Sequence, residues 1–391
     1  MADDPSSSLV SPAMDMQDQS NIFLFRPESG SAVHSTQITD LITAPDGAIL
    51  VATNFGLSTF NGQWKTQHIN RDNISAGLMD DWITSIEYDS AGNLWIGYGN
   101  GIQIFNGKYY TAIRDQEILK SLRVKDIQRW DDDLWVATGN AGLHRYRDGC
   151  WTWYQPLARN GPGFYEANSM ALDSGSDTLF VATDREGLWQ VIPSNDTVSF
   201  TKIQDKLDTF GLLDQVRRDP FGGVYFFNAT AVAHYIPDNG FSFVVLSSDL
   251  SSDHPAINDI SAGSNGNLYI ATDDGIFVFE NGTVDRHLGM FEGFGTSHVI
   301  KTVHADALNR IWFSSSDDVG YYTGEVSAQL LIPIEMVTPD TTTSVTPEPS
   351  LAVMSPLVSV ANGTASTPSL SPIDQFINAL YRLFSFLPIP R

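Results

Sequence analysis

The stretch Ala91-Gly92-Asn93-Leu94-Trp95-Ile96-Gly97 combines a tight turn with a short apolar strand that has an aromatic residue at its centre. Glycine and asparagine readily adopt the backbone conformations that tight turns require. Six further copies of the pattern begin at Gly47, Asp132, Asp177, Gly222, Gly266 and Asn309. Their spacing of roughly 40 to 45 residues is typical of propeller blades. The sequence therefore predicts an all-β fold, a seven-bladed β-propeller of four-stranded antiparallel blades.

Each copy belongs to a repeat of four strands, named A to D, as the second repeat illustrates. Strand A is 83–88, strand B 94–97, strand C 102–105 and strand D 108–113, with the hairpin signal Asn-Gly between C and D. The last repeat leaves its strand D open to two candidates, Ile22–Phe25 and Gln329–Ile332. We favour Ile22–Phe25, because pairing the N-terminus with the last repeat closes the ring and leaves only short protected edges.

The repeat pattern resembles a known family. Ile83-Thr84-Ser85-Ile86, the stretch Gly92–Gly97, Gly101-Ile102 and Phe105-Asn106-Gly107 together look like the two-component regulator propeller repeat, over about 21–336. The resemblance implies the propeller of the extracytoplasmic sensing region of some bacterial histidine kinases, where carbohydrate ligands are the common theme. The sequence shows no histidine-kinase motif and no response-regulator domain, so only the propeller is carried over and not the signalling role.

Charge and cysteine content limit the classes of partner. The formal net charge is −24, which disfavours nucleic acid and anionic membrane surfaces, since both attract basic proteins. Cys150 is the single cysteine, so no disulfide forms within the chain. Asp131-Asp132-Asp133 lacks the remaining ligands of an EF-hand loop, and the histidines lack zinc-site spacing. We expect no metal and no cofactor.

The two ends differ in composition from the repeats. Residues 1–20 are polar and predicted to be disordered. They contain no signal peptide, but Ala2-Asp3-Asp4-Pro5 resembles the start of a mature secreted chain. Residues 21–336 form the predicted propeller, and 337–371 are a Thr/Ser/Pro-rich linker. Residues 372–391 predict a short amphipathic helix that docks on a partner or membrane surface, or packs on the propeller as a tail.

Strand B carries an aromatic residue in six of the repeats: Trp95, Trp135, Phe180, Tyr225, Tyr269 and Trp312. A residue that recurs at one place in every blade serves the packing of neighbouring blades, so we assign these side chains to the core. Binding residues are then expected among positions that differ between blades, on loops held by the rigid scaffold.

Strand A starts at one face of the disc, and the turns between strands B and C share that face with the linkers between strands D and A. The resemblance implies that ligands bind there, beside the central channel. The candidate ligand-binding residues are Phe55, Trp82, Tyr98, Asn100, Asn140, Asp184, Arg185, Glu186, Asp273, Asp274, His298, Asp317 and Asp318, and the same loops hold His34, Asn54, Asp80, Asp81, Tyr165 and Glu166. Aromatics beside carboxylates and amides suit a small polar ligand, a glycan or another protein.

Three functions are compatible with this sequence. The first is a non-enzymatic, secreted or cell-surface binding module. The second is a propeller lyase acting on a polysaccharide or cyclic ester, with His298, His34 and Glu166 as candidate catalytic groups. The third is a purely structural surface protein. Since one fold hosts many functions, the choice depends on the site.

Overall fold

The computed structural model describes residues 21–25, 33–113, 123–154, 156, 161–173, 175–183, 185–193, 197–203, 210, 212–213, 215–237, 239–289 and 297–324. The predictions for 1–20, 337–371, 372–391, Gln329–Ile332 and Asp184 lie outside these residues. The chain divides into two compact units, 1–331 and 332–391, and the second unit lies outside the described part.

Seven four-stranded antiparallel sheets form the fold, and six of them follow the chain without interruption. Blade 1 contains β2 (Ile38–Thr43), β3 (Ile49–Thr53), β4 (Gly56–Phe60) and β5 (Trp64–Gln67). Blade 2 contains β6 (Ile83–Tyr88), β7 (Leu94–Tyr98), β8 (Gly101–Phe105) and β9 (Tyr110–Ile113). Blade 3 contains β10 (Val124–Trp130), β11 (Asp133–Thr138), β12 (Leu143–Arg147) and β13 (Cys150–Tyr154).

The next three blades keep the same order of strands. Blade 4 contains β14 (Ala167–Asp173), β15 (Thr178–Thr183), β16 (Gly187–Pro193) and β17 (Val198–Lys202). Blade 5 contains β18 (Gln215–Arg218), β19 (Val224–Asn228), β20 (Ala231–Ile236) and β21 (Gly240–Leu246), followed by the single helical turn α1 (Ser247–Leu250). Blade 6 contains β22 (Ile257–Ala262), β23 (Leu268–Thr272), β24 (Gly275–Glu280) and β25 (Thr283–Leu288). The predicted all-β, seven-bladed fold is confirmed.

Blade 7 joins the two ends of the propeller. It contains β26 (Ile300–Ala305), β27 (Ile311–Ser315) and β28 (Val319–Tyr322), and its outer strand is β1 (Ile22–Phe25). β1 pairs antiparallel with β28, from Ile22 opposite Tyr322 to Phe25 opposite Val319. A Cβ atom on Gly320 would lie 2.5 Å from the backbone oxygen of Phe23, so this close pairing requires glycine. The N-terminal strand therefore closes the ring, as favoured from the sequence.

The hydrophobic core lies between the blades. Seven apolar clusters are present in the described residues, and each joins two neighbouring blades around the ring. The strand-B aromatics belong to these clusters, and five of the six are buried; Tyr225 is half-buried and stacks on His234. Burial of these faces by neighbours is the main stabilising contribution that holds the disc together.

The buried indoles of blades 2 and 7 each donate a hydrogen bond to an aspartate of their own blade. The carboxylate at the start of the turn before strand B accepts a hydrogen bond from the tryptophan six residues later, Asp89 from Trp95 at 2.9 Å and Asp306 from Trp312 at 3.0 Å. Because a buried N–H without a partner is costly, this pairing lets a tryptophan occupy the core position.

In the described part of the chain, no helix is both long and apolar enough to span a bilayer.

Candidate functional site

The turns between strands B and C meet the linkers between strands D and A on one side of the propeller, which we name the BC face. Backbone hydrogen bonds join them, from Gly56 N to Asp81 O at 2.8 Å and from Gly275 N to His298 O at 2.7 Å. The turns between strands A and B lie at the other end of the same strands, where Ser264 donates to Asn309 at 2.8 Å. The loops that the sequence assigns to a shared face therefore do meet.

Most of the candidate ligand-binding residues are accessible on the BC face. The exposed ones are Phe55, Trp82, Asn100, Asn140, Arg185, Glu186, Asp273, His298 and Asp317, and Asp274 is half-buried. Trp82 is 64% exposed and Phe55 51% exposed. Their role in binding stays a prediction, but their accessibility is compatible with it.

Two candidates occupy the interior instead, and their placement corrects the expectation of an open position. Tyr98 is fully buried and donates a hydrogen bond to Gln103 Oε1 at 2.9 Å. Asp318 is also fully buried, in the tight turn where its backbone N–H donates to Ser315 Oγ at 3.0 Å. Sequence position places both residues next to exposed turns, but their side chains point into the blade.

Gln103 is a buried residue that sequence reasoning missed. Its Nε2 donates to Ile74 O and Gly77 O at 3.0 Å each, and its Oε1 accepts from Met79 N at 3.1 Å as well as from Tyr98. Every hydrogen-bonding position of the amide is thus used. This amide fixes the long linker that leads from blade 1 to Trp82.

Two groups of candidates are brought together on the BC face. Around blade 1, the ring centroids of Phe55 and His68 lie 5.1 Å apart, and His68 Nε2 lies 2.8 Å from His34 Nδ1. Around blade 6, Asp274 lies 3.8 Å from His287 and 3.9 Å from His298. His68 and His287 were not predicted, because strand ends carry no site signal in the sequence. Among the described residues no group of three His, Cys, Asp or Glu side chains could hold a metal ion.

The central channel contains a cavity of about 340 Å³ lined by the A strands of all seven blades. The third residue of strand A accepts a hydrogen bond from a backbone N–H of the next blade at five of the seven junctions. These pairs are Asp40 with Ile86 at 2.8 Å, Ser85 with Ile127 at 3.1 Å, Asp126 with Met170 at 2.5 Å, Ser169 with Val216 at 2.8 Å, and Asp259 with Val303 at 3.2 Å. We name these five acceptors the inner ring.

A β-bulge aims the inner ring at the neighbouring blade. In six blades the register shifts between the first and third residues of strand A, which re-aims the third side chain. Blade 5 pairs regularly from Gln215 opposite Phe227. There Arg217 reaches across instead, and its guanidinium lies 2.9 Å from Asp259. The inner ring therefore has a structural role: its hydrogen bonds join neighbouring blades.

Burial changes the ionisation of the groups in the channel. Desolvation raises the pKa of Glu87 to about 7 and that of Asp126 to about 6, and it also raises the pKa values of Asp40 and Asp259. Hydrogen bonds from backbone N–H groups and the charge of Arg217 oppose this rise for the three aspartates. Desolvation lowers the pKa of His304 to about 4. The channel therefore favours neutral forms of its side chains.

Glu87→Gln is expected to be more stable than the parent protein at pH 8 and equally stable at pH 4. Because the folded-state pKa lies above the usual 4.5, the stability that protonated Glu87 contributes is lost as the pH rises from 4.5 to about 7. We expect a gain of about 2 kcal/mol at pH 8, less than the full shift implies because the side chain is only half-buried. Urea denaturation at both pH values measures it.

The matched control is Glu186→Gln, because Glu186 is exposed and pairs with Lys202 across 3.3 Å. This change should leave stability nearly the same at both pH values. An equal gain for Glu87→Gln at pH 4 and pH 8 would show that the carboxyl is not held neutral by burial.

Comparison with known proteins adds to the geometry. Residues 77–100 match the two component regulator propeller family model. The fold is similar to the extracellular domain of BT4673 from B. thetaiotaomicron, described as a one component system, with 20% identity, a TM-score of 0.61, and coverage of 77% of this chain and 39% of that chain. It is also similar to a streptogramin B lyase, with 12% identity, a TM-score of 0.59, and coverage of 77% and 96%.

A third similar structure is the extracellular domain of BT3049 from B. thetaiotaomicron, described as a hybrid two component system, with 17% identity, a TM-score of 0.60, and coverage of 78% and 41%. This chain therefore spans about two fifths of the length of the sensor domains. No curated protein matches the chain by sequence. At these identities the likeness shows the fold alone. The matched residues run from the linker before β6 through β7, so the match to the two component regulator propeller family lies in the second blade of this seven-bladed β-propeller.

Proposed function

We propose that this propeller is a non-enzymatic binding module and that its ligand or protein partner docks on the BC face. One observation supports the proposal. The strand-B aromatics that recur in six blades pack in the clusters between blades, whereas Phe55 and Trp82 project 51% and 64% of their surface to solvent from the BC face. Packing does not account for two such side chains, and exposed aromatic residues are enriched where proteins bind partners.

The surroundings of these aromatics are polar, which fits a small polar ligand, a glycan or a protein. On the same face, Asn100 and Asn140 lie exposed on the turns of blades 2 and 3, and Asp273 lies exposed on the turn of blade 6. An extracellular or cell-surface location is part of the proposal, in keeping with the extracellular domains whose fold is similar. The predicted C-terminal helix would then act as a tether on a partner or membrane surface.

The double variant Phe55→Ala/Trp82→Ala is expected to weaken ligand binding by at least about tenfold, since each aromatic contact of this kind contributes on the order of 1 kcal/mol. Glycan arrays and thermal-shift screens on the parent protein provide the ligand, and titration of that ligand into both proteins measures the loss. Phe221→Ala/Leu308→Ala is the matched control, because these side chains are 70% and 74% exposed on the turns between strands A and B. Unchanged binding by the Phe55/Trp82 variant would contradict the assignment of the face.

A lyase remains a second candidate because of one contact. His34 Nδ1 lies 2.8 Å from His68 Nε2, so the two imidazoles share a hydrogen bond, and the Asp81 carboxylate lies 3.5 Å from His68 Nδ1 without a hydrogen bond between them. Such an arrangement suits a general base. Cleavage of a polysaccharide with a rise in ultraviolet absorbance that His34→Ala abolishes would favour this candidate over a binding module.

A further inference from the structure

Two of the exposed aromatic residues of the BC face, Phe55 and Trp82, lie on adjacent loops that also hold a pair of carboxylates. We name Phe55, Trp82, Asp80 and Asp81 the Trp82 patch. Phe55 lies in the turn between β3 and β4, and the other three residues directly precede β6. The backbone hydrogen bond from Gly56 N to Asp81 O brings the turn and the linker together at 2.8 Å. Two aromatic rings and two carboxylates are thus presented by adjacent loops of blades 1 and 2.

The Trp82 patch is held in place before any partner arrives. Asp81 Oδ1 accepts from Ile69 N at 2.7 Å, and Asp80 Oδ1 accepts from Trp82 N at 3.1 Å. The buried Gln103 amide fixes the linker just before these residues. Since ordering of loops opposes association, a surface that is already ordered loses less free energy on binding. The patch therefore has the rigidity that a specific site needs.

The charge of the Trp82 patch is unbalanced. Asp80 and Asp81 are half-buried, and within the described part of the chain no lysine or arginine pairs with either of them, although the His68 imidazole lies 3.5 Å from Asp81. The whole chain carries a net charge of −24, so the surrounding field is also negative. Negative potential beside exposed aromatic faces attracts cations, and a guanidinium that stacks on an indole gains from both.

We propose that the Trp82 patch binds an arginine-containing segment of a partner protein, with a guanidinium stacked on an exposed ring and its charge facing Asp80 and Asp81. Arginine suits the site better than lysine because its planar group both stacks on rings and pairs with carboxylates. A neutral glycan would use the rings but leave the two carboxylates without a charged partner. The inference rests on the proposed function and specifies the partner chemistry of the same face.

A peptide titration tests the inference directly. The probe is a fluorescein-labelled octapeptide of alternating arginine and glycine, with a second peptide in which citrulline replaces arginine as the neutral control of the same shape. Fluorescence anisotropy with the full chain at 50 and 300 mM NaCl gives the affinities. Trp82→Ala should weaken binding of the arginine peptide about tenfold, and Asp80→Asn/Asp81→Asn should weaken it and flatten its salt dependence.

The remaining arms separate the possible results. Binding of the arginine peptide to the parent protein but not of the citrulline peptide, with Leu308→Ala unchanged, supports the proposal. Equal binding of both peptides, or equal binding by Trp82→Ala and the parent, overturns it, because the charge or the ring is then irrelevant. If cellohexaose binds in a Trp82-dependent manner and the arginine peptide does not, the proposed binding face survives and the basic partner is wrong. If neither probe depends on Trp82 while a ligand from the screens still loses affinity in the Phe55/Trp82 variant, only the inference fails.

Discussion

Leu24→Ala/Phe25→Ala is expected to lower the free energy of unfolding by about 4 kcal/mol, because β1 closes the ring from both sides. Leu24 packs in the cluster between blades 6 and 7, and Phe25 packs in the cluster between blades 7 and 1. The Phe25 ring lies 5.4 Å from Phe60 and 5.2 Å from Trp64 of blade 1. The two losses fall in different clusters and should add. Urea denaturation followed by fluorescence measures the change.

Phe23→Ala is the matched control within the same strand. Phe23 is 45% exposed and stacks on Tyr321, at 4.6 Å, so its loss should cost about 1 kcal/mol. Loss of β1 also leaves β28 as an open edge, and open edges pair with other chains. Size-exclusion chromatography should therefore show association of the double variant. If the double variant keeps the parent stability, another segment must be able to take the closing position.

Repeat spacing was enough to predict the architecture. Each blade buries its two apolar faces against its neighbours, so the same apolar pattern recurs once in every blade. The pattern at Gly92–Gly97 recurs with a turn and a central aromatic, and those aromatics are the residues that fill the clusters between blades. Strand bounds followed from the same periodicity to within two residues: in blade 2, strand B extends to Tyr98, strand C begins one residue earlier, at Gly101, and strand D begins two residues later, at Tyr110. The closing strand was predictable because Ile22–Phe25 lies next to a linker of the usual type.

The details of the site were less predictable, since they depend on contacts between residues far apart in sequence. Tyr98 follows an apolar strand and precedes an exposed turn, but the buried Gln103 draws its hydroxyl inward. The inner ring leaves a trace in the sequence, since the third residue of strand A is Asp or Ser in five blades, but its role was not predictable because the bulge that re-aims Asp40 or Asp126 depends on pairing with strand B. Composition alone also does not distinguish a turn aspartate that binds backbone from one that faces a partner.

Asp259→Ala is expected to lower the free energy of unfolding by about 3 kcal/mol, since one carboxylate connects three blades. Asp259 accepts from Val303 N of blade 7 at 3.2 Å and from Ile260 N of its own strand at 2.9 Å, and it pairs with Arg217 of blade 5 at 2.9 Å. Removal leaves two backbone N–H groups and the guanidinium without this acceptor. The Arg217 side chain is 34% exposed, so water compensates part of the lost pairing.

Ser169→Ala separates the ionic part of this effect from the hydrogen bond. Ser169 is a neutral member of the inner ring that accepts from Val216 N at 2.8 Å, and its loss should cost about 1 kcal/mol. Asp259→Asn keeps an oxygen for Val303 but removes the charge opposite Arg217, so it should fall between the two. If Asp259→Ala costs no more than Ser169→Ala in urea denaturation, the carboxylate acts only as a hydrogen-bond acceptor, and Arg217 does not depend on it. A larger cost for Asp259→Ala, recovered in part by the additional change Arg217→Met, would show that an uncompensated charge in the channel is what destabilises the disc.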